Sequence, residues 1–185
     1  YSFSSNFAVD ESFSYVLGDT VSNGVPGPGA GNLETPGSTD TYTFSGDAGD
    51  SVYFTRVSCE VSGGCGAQWT LTSPQGVQLF SGFLGNQGPL VLAESGTYSL
   101  VVSSWNGNTG TYSFSSNFTV DESFSYVLGD TVSNGVPGPG AGNLETSGST
   151  DTYTFTADAG DSVYFTRVSC EVSGGCGAQW TLTSP

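Results

Sequence analysis

Residues 1–74 recur as residues 112–185, and only four of those 74 positions differ: Ala8/Thr119, Pro36/Ser147, Ser45/Thr156 and Gly46/Ala157. The offset is 111 residues. Whatever fold this chain adopts must be able to follow itself along one polypeptide. Solenoid and propeller repeats run to about 20–50 residues, so this period reads as one whole domain per repeat.

The repeat is out of phase with the chain. Residues 12–122 read as one complete unit, 1–11 as the last strand of a preceding repeat, and 123–185 as the first part of the next. Residues 1–7 match 112–118, and Pro185 matches Pro74. The partial copies together lack residues equivalent to 75–111, so the last one is expected not to close its own core. Two arrangements account for this. The sequence is a window on a longer array, or separate subunits complete one another by lending strands. The window is preferred, because several strands are missing, not one. The absence of an initial Met and of a signal peptide reads as a mature or excerpted product.

Within the unit, helical periodicity is nearly absent. Short alternating apolar runs dominate, bounded by Gly, Asn, Ser, Asp or Pro. They are Phe13/Tyr15/Leu17, Tyr42/Phe44, Val52/Phe54, Ala67/Trp69/Leu71, Val77/Leu79, Leu90/Leu92, Tyr98/Leu100/Val102 and Tyr112/Phe114. In a strand every second side chain faces one side. These runs predict an all-β fold, a two-sheet antiparallel β-sandwich of jelly-roll type, repeated in tandem. Residues 23–37 are rich in Gly and Pro and read as a stiffened surface loop, a candidate for lying against a neighbouring domain. The join at residues 117–123 is short and has no Gly or Pro, which predicts a fixed angle between repeats.

Charge narrows the function. There are 17 acidic residues, no His and two cations, Arg56 and Arg167, giving a net charge of −15. Nucleic acid is excluded, because phosphate binding needs Lys and Arg to displace counterions. Docking on anionic lipid is excluded for the same reason. No apolar run is long enough to predict membrane insertion. Disorder is not expected either, since aromatics make up 13% of the chain and recur at alternating positions. The lack of Lys also rules out Lys–Asn isopeptide cross-links.

The four cysteines fall as Cys59/Cys65 and Cys170/Cys176. With no His to supply a zinc site, one local disulfide per copy is the preferred reading over free buried thiols, and it implies an oxidising compartment. So short a loop stabilises by about 2 kcal/mol in the chain-entropy model.

Several motifs resemble the bacterial pre-peptidase C-terminal domain. They are Gly18-Asp19-Thr20-Val21, Asp40-x-Tyr42-x-Phe44, Ala48-Gly49-x-x-Val52-x-Phe54, Gly96-Thr97-Tyr98-x-Leu100-x-Val102 and Gly110-Thr111-Tyr112-x-Phe114. The second copy repeats Asp151-x-Tyr153-x-Phe155 and Ala159-Gly160. The resemblance covers essentially the whole unit and implies an exported, non-catalytic accessory β-sandwich.

Candidate sites are few. A serine nucleophile would lack a His or Lys base, so no catalytic residues and no enzyme activity are expected. Asp19, Asp40, Asp47 and Asp50 are candidate ligands for a structural calcium, which favours hard oxygens; the alternative is a solvated acidic surface, and no other cofactor is expected. Arg56 and Arg167 are each read as a structural ion pair or as an inter-domain clamp. Trp105 is a candidate exposed contact, for a sugar ring or a neighbour. Asn117-Phe118-Thr119 is a glycosylation sequon, missing from the first copy, which has Ala8. The expected function is a structural component of an extracellular or cell-surface fibre, stalk or appendage. Its expected partners are copies of itself, joined end to end or by strand completion. The alternative is an adhesin or binding module for a polysaccharide or protein, with surface glycans among its candidate partners.

Overall fold

The structure is a computed structural model that describes residues 1–2, 5, 7–172 and 175–185. Two compact units are present: Tyr1–Val120 with Glu145–Ser149, and Asp121–Leu144 with Thr150–Pro185.

Alternation decides the strands of the first unit. In β4 (Thr39–Gly46) Asp40, Tyr42, Phe44 and Gly46 are buried, while the Thr residues between them reach solvent. The same period places Ala67, Trp69 and Leu71 inward on β6 (Ala67–Thr72), and Tyr98, Leu100 and Val102 inward on β9 (Gly96–Ser104). With β1 (Asp10–Ser14) and β7 (Gln78–Phe83) these form a sheet in the order β1-β4-β9-β6-β7. The second sheet runs β2-β10-β5-β8, from β2 (Thr20–Val21), β5 (Ser51–Cys59), β8 (Gln87–Val91) and β10 (Gly110–Phe118); β3 (Asn32–Leu33) also pairs with β10. Aromatic side chains fill the space between the sheets. Phe44 stacks on Tyr98 with ring centroids 5.4 Å apart, and Trp69 meets Phe54 at 6.1 Å and Phe114 at 5.8 Å. The sandwich is therefore all-β, as the alternation predicts.

Two expectations need correction. The pairing is not wholly antiparallel, because β1 runs parallel to β4, with Phe13 opposite Tyr42. Between them the chain crosses to the other sheet and contributes β2 and β3. A crossover of this kind returns a strand in its original direction, which a hairpin cannot do. Residues 23–37 also form more than a surface loop. Ala30 and Leu33 within them are fully buried. Gly31 has a φ of +69°, and a Cβ there would lie 2.5 Å from the Ser22 carbonyl carbon. The glycine-rich composition lets the backbone fold onto itself and complete the core of its own sandwich.

The second unit repeats the opening of the first. β11 (Asp121–Ser125) pairs in parallel with β12 (Thr150–Thr154), and Phe124 faces Tyr153 in the register of Phe13 and Tyr42. Trp180 and Leu182 are 68% and 67% exposed, whereas their counterparts Trp69 and Leu71 are fully buried. Among the described residues, no helix is long and apolar enough to cross a membrane.

Candidate functional site

The parallel β1–β4 pair sets two carboxyls side by side, with Glu11 opposite Asp40. Asp40 occupies an inward position of β4 and is completely buried. The Tyr112 hydroxyl donates to Asp40 Oδ2, and the Tyr42 hydroxyl reaches the same oxygen at 3.3 Å. The two tyrosine oxygens lie 2.8 Å apart, and the Gly31 N–H donates to the Tyr42 hydroxyl at 2.9 Å. The other Asp40 oxygen, Oδ1, is buried without a partner, and so is Glu11 Oε2. A Cβ at Gly29, where φ is +90°, would overlap the Glu11 carboxyl, so glycine leaves the space this acid occupies.

Burial pushes the Asp40 carboxyl up from its usual 3.8 to about 6. The Tyr112 hydrogen bond opposes that rise, while the charges of Glu34 and Glu11 add to it. Burial likewise raises both tyrosine hydroxyls, which stay protonated donors. The second copy keeps the same features. Glu122 Oε2 and Asp151 Oδ1 are again buried and unpartnered, and carboxyl oxygens of these two acids approach within 4.8 Å. Orphaned carboxylate oxygens on adjacent acids suit a hard, oxygen-seeking cation.

The sequence-predicted calcium set does not assemble here. Asp47 and Asp50 close the β4–β5 turn, where the Asp47 N–H donates to Asp50 Oδ2 at 2.9 Å. Asp19 sits in another turn, and its backbone oxygen accepts from the Tyr15 hydroxyl at 3.0 Å. Only Asp40 of the four takes part, and its partner Glu11 comes from outside that set. The signal for Asp40 was legible: an acid in phase with Tyr42 and Phe44 must face the core. Glu11 could be found only through the parallel register.

The remaining candidates lie elsewhere. Both disulfides are formed, Cys59–Cys65 and Cys170–Cys176, with Cα–Cα distances of 5.3 and 5.4 Å. The first ties the end of β5 to the turn at Ser62–Cys65. Arg56 is exposed, and its backbone N–H donates to Asn86 Oδ1 at 3.1 Å. Arg167 is exposed in the second unit. Trp105 opens a one-turn 3-10 helix, is half exposed, and lies 6.0 Å from the exposed Phe83 ring. The Asn117 amide is engaged, donating to the Phe118 oxygen at 3.0 Å and the Ser147 oxygen at 2.9 Å.

No protein-family model matches the chain, and no curated protein matches it. Solved structures do resemble it. The pre-peptidase C-terminal domain of a collagenase from Bacillus anthracis is 21% identical with a TM-score of 0.43, over 60% of this chain and 100% of that one. The periplasmic g-type lysozyme inhibitor PliG of Aeromonas hydrophila is 14% identical with a TM-score of 0.40, over 60% of this chain and 99% of its own. The Salmonella Typhimurium PliG is 19% identical with a TM-score of 0.39, over 60% and 98%. The fold itself, read from its own strand pairing, is an all-β sandwich of two sheets.

Proposed function

We propose that this chain is a stretch of a non-catalytic structural array, part of an extracellular fibre, stalk or surface appendage built from tandem β-sandwich domains. One observation carries the reading. A single repeat length holds one closed sandwich, and the next copy begins again with the same strand pairing in the same register. Disulfides in both copies favour an oxidising compartment outside the cytoplasm. A net charge of −15 keeps neighbouring arrays apart in solution. Identical interfaces repeated head to tail propagate into filaments when they do not close.

Electron micrographs of the native material are expected to show regular filaments with an axial period of one sandwich. Monodisperse short particles would overturn this reading and leave a binding module. The exposed Phe83–Trp105 pair favours that alternative, since aromatic faces stack on neutral sugar rings. A polysaccharide that quenches tryptophan fluorescence in the native chain but not in Trp105→Ala would identify it.

The same array is read as carrying calcium at the buried carboxyl pair of Glu11 and Asp40. Oxygens without partners support this, because a bound cation would supply what Asp40 Oδ1 and Glu11 Oε2 lack. A chelator is expected to lower the melting temperature at neutral pH by several degrees. An unchanged value would remove calcium from the account.

A further inference from the structure

The compact unit that contains the sandwich also contains Glu145–Ser149, a segment that belongs by sequence to the second copy. Its contacts are specific. Thr146 Oγ1 donates to the Phe118 oxygen at 3.0 Å, at the last residue of β10. The Val120 N–H donates to Ser149 Oγ at 3.1 Å, and Asn117 Nδ2 donates to the Ser147 oxygen at 2.9 Å. Thr146 and Ser149 brace each other at 2.8 Å.

Gly148 makes the closest approach. Its φ is +84°, and a Cβ there would stand 2.7 Å from Tyr53 Cδ2 and 3.0 Å from Thr119 Cγ2. Tyr53 lies on β5 directly across from Asn117 on β10. This cross-strand pair forms the floor on which the segment rests.

Part of the pattern occurs again at the other end of the chain. Thr35 Oγ1 donates to the Phe7 oxygen at 3.1 Å, and the Val9 N–H donates to Ser38 Oγ at 3.2 Å. Residues 7–9 are the counterparts of 118–120, and 34–38 those of 145–149. The same loop therefore grips the same incoming stretch twice.

We propose that Glu145–Ser149 is a clasp: the loop at positions 34–38 of each repeat docks on the Tyr53–Asn117 floor and the outgoing strand of the repeat before it. The partner is a second copy of this chain's own repeat, joined in tandem. Extending the clasp to further repeats rests on the array reading; the contacts around Gly148 do not. Three side-chain hydrogen bonds and a glycine seated on a tyrosine ring give the loop one docking position.

The full chain with Gly148→Ala tests this, because the added methyl would strike Tyr53 and Thr119. Exchange of the Val120 amide, followed by NMR, is expected to accelerate by about tenfold or more as the clasp opens. Amides of β4 and β9 should keep their protection. Gly37→Ala provides the control. It meets the same backbone strain at φ +91°, but only Ala8 Cβ at 3.6 Å, so Val120 exchange should not change. Ser149→Ala removes the acceptor without adding an atom and should accelerate Val120 in the same way. Val120 exchange that is unprotected in the native chain, or unchanged in both Gly148→Ala and Ser149→Ala, would overturn the clasp. Micrographs without filaments alongside an accelerated Val120 would reject the array and leave the clasp standing.

Discussion

Replacing Trp69 with alanine is expected to cost the sandwich about 3–5 kcal/mol. Trp69 is fully buried; it meets Phe54 and Phe114 across the space between the sheets and Phe80 on the neighbouring strand β7. Removing it opens a cavity that neighbouring rings on rigid strands cannot collapse to fill. Urea unfolding followed by circular dichroism measures the variant. A loss under about 1 kcal/mol would show that Trp69 does not fill the space between the sheets.

The second large effect concerns pH. Asp40 has a carboxyl raised from 3.8 to about 6 in the folded chain. The folded state therefore holds this proton more tightly than the unfolded state does. Its stabilising contribution is complete below pH 3.8 and is lost as pH rises through about 6. A shift of about two pH units corresponds to a ceiling of about 3 kcal/mol. General repulsion among the other acids changes in the same direction, so the informative quantity is the difference between native protein and Asp40→Asn. With calcium removed by a chelator, that difference should change across this window and be flat above it, with Asp40→Asn relatively more stable at neutral pH. A constant difference between acid and neutral pH would mean that Asp40 titrates normally. Calcium should reduce the dependence, because a cation on Oδ1 stabilises the charged form that burial penalises.

Much of the sandwich could be read from the residues, for a local reason. Tyr42/Phe44, Ala67/Trp69/Leu71 and Tyr98/Leu100/Val102 alternate, and alternation fixes which side chains face inward without knowledge of the partner strand. The pairing of Cys59 with Cys65 is also local, and spacing suggested it. Partner choice is not local. Nothing near residues 10–14 or 39–46 announces that they run in the same direction, since that depends on the chain's detour through the opposite sheet. The acidic pocket was half legible for the same reason. Asp40 betrays itself by being in phase with Tyr42, but Glu11 reaches it only through the parallel ladder. Composition misled at residues 23–37, read as a stiffened surface loop, where Gly31 permits the tight backbone approach that buries Ala30 and Leu33.

The short interval between β10 and β11 has a mechanical consequence. Only Thr119 and Val120 separate the last strand of one sandwich from the first strand of the next copy. A filament under tension would have almost no slack to take up before the pull reached a strand. A pull along β1 slides that strand against β4, so all five of its register pairs resist together. Drawing the pair apart like a zipper would break them one at a time, and would take far less force.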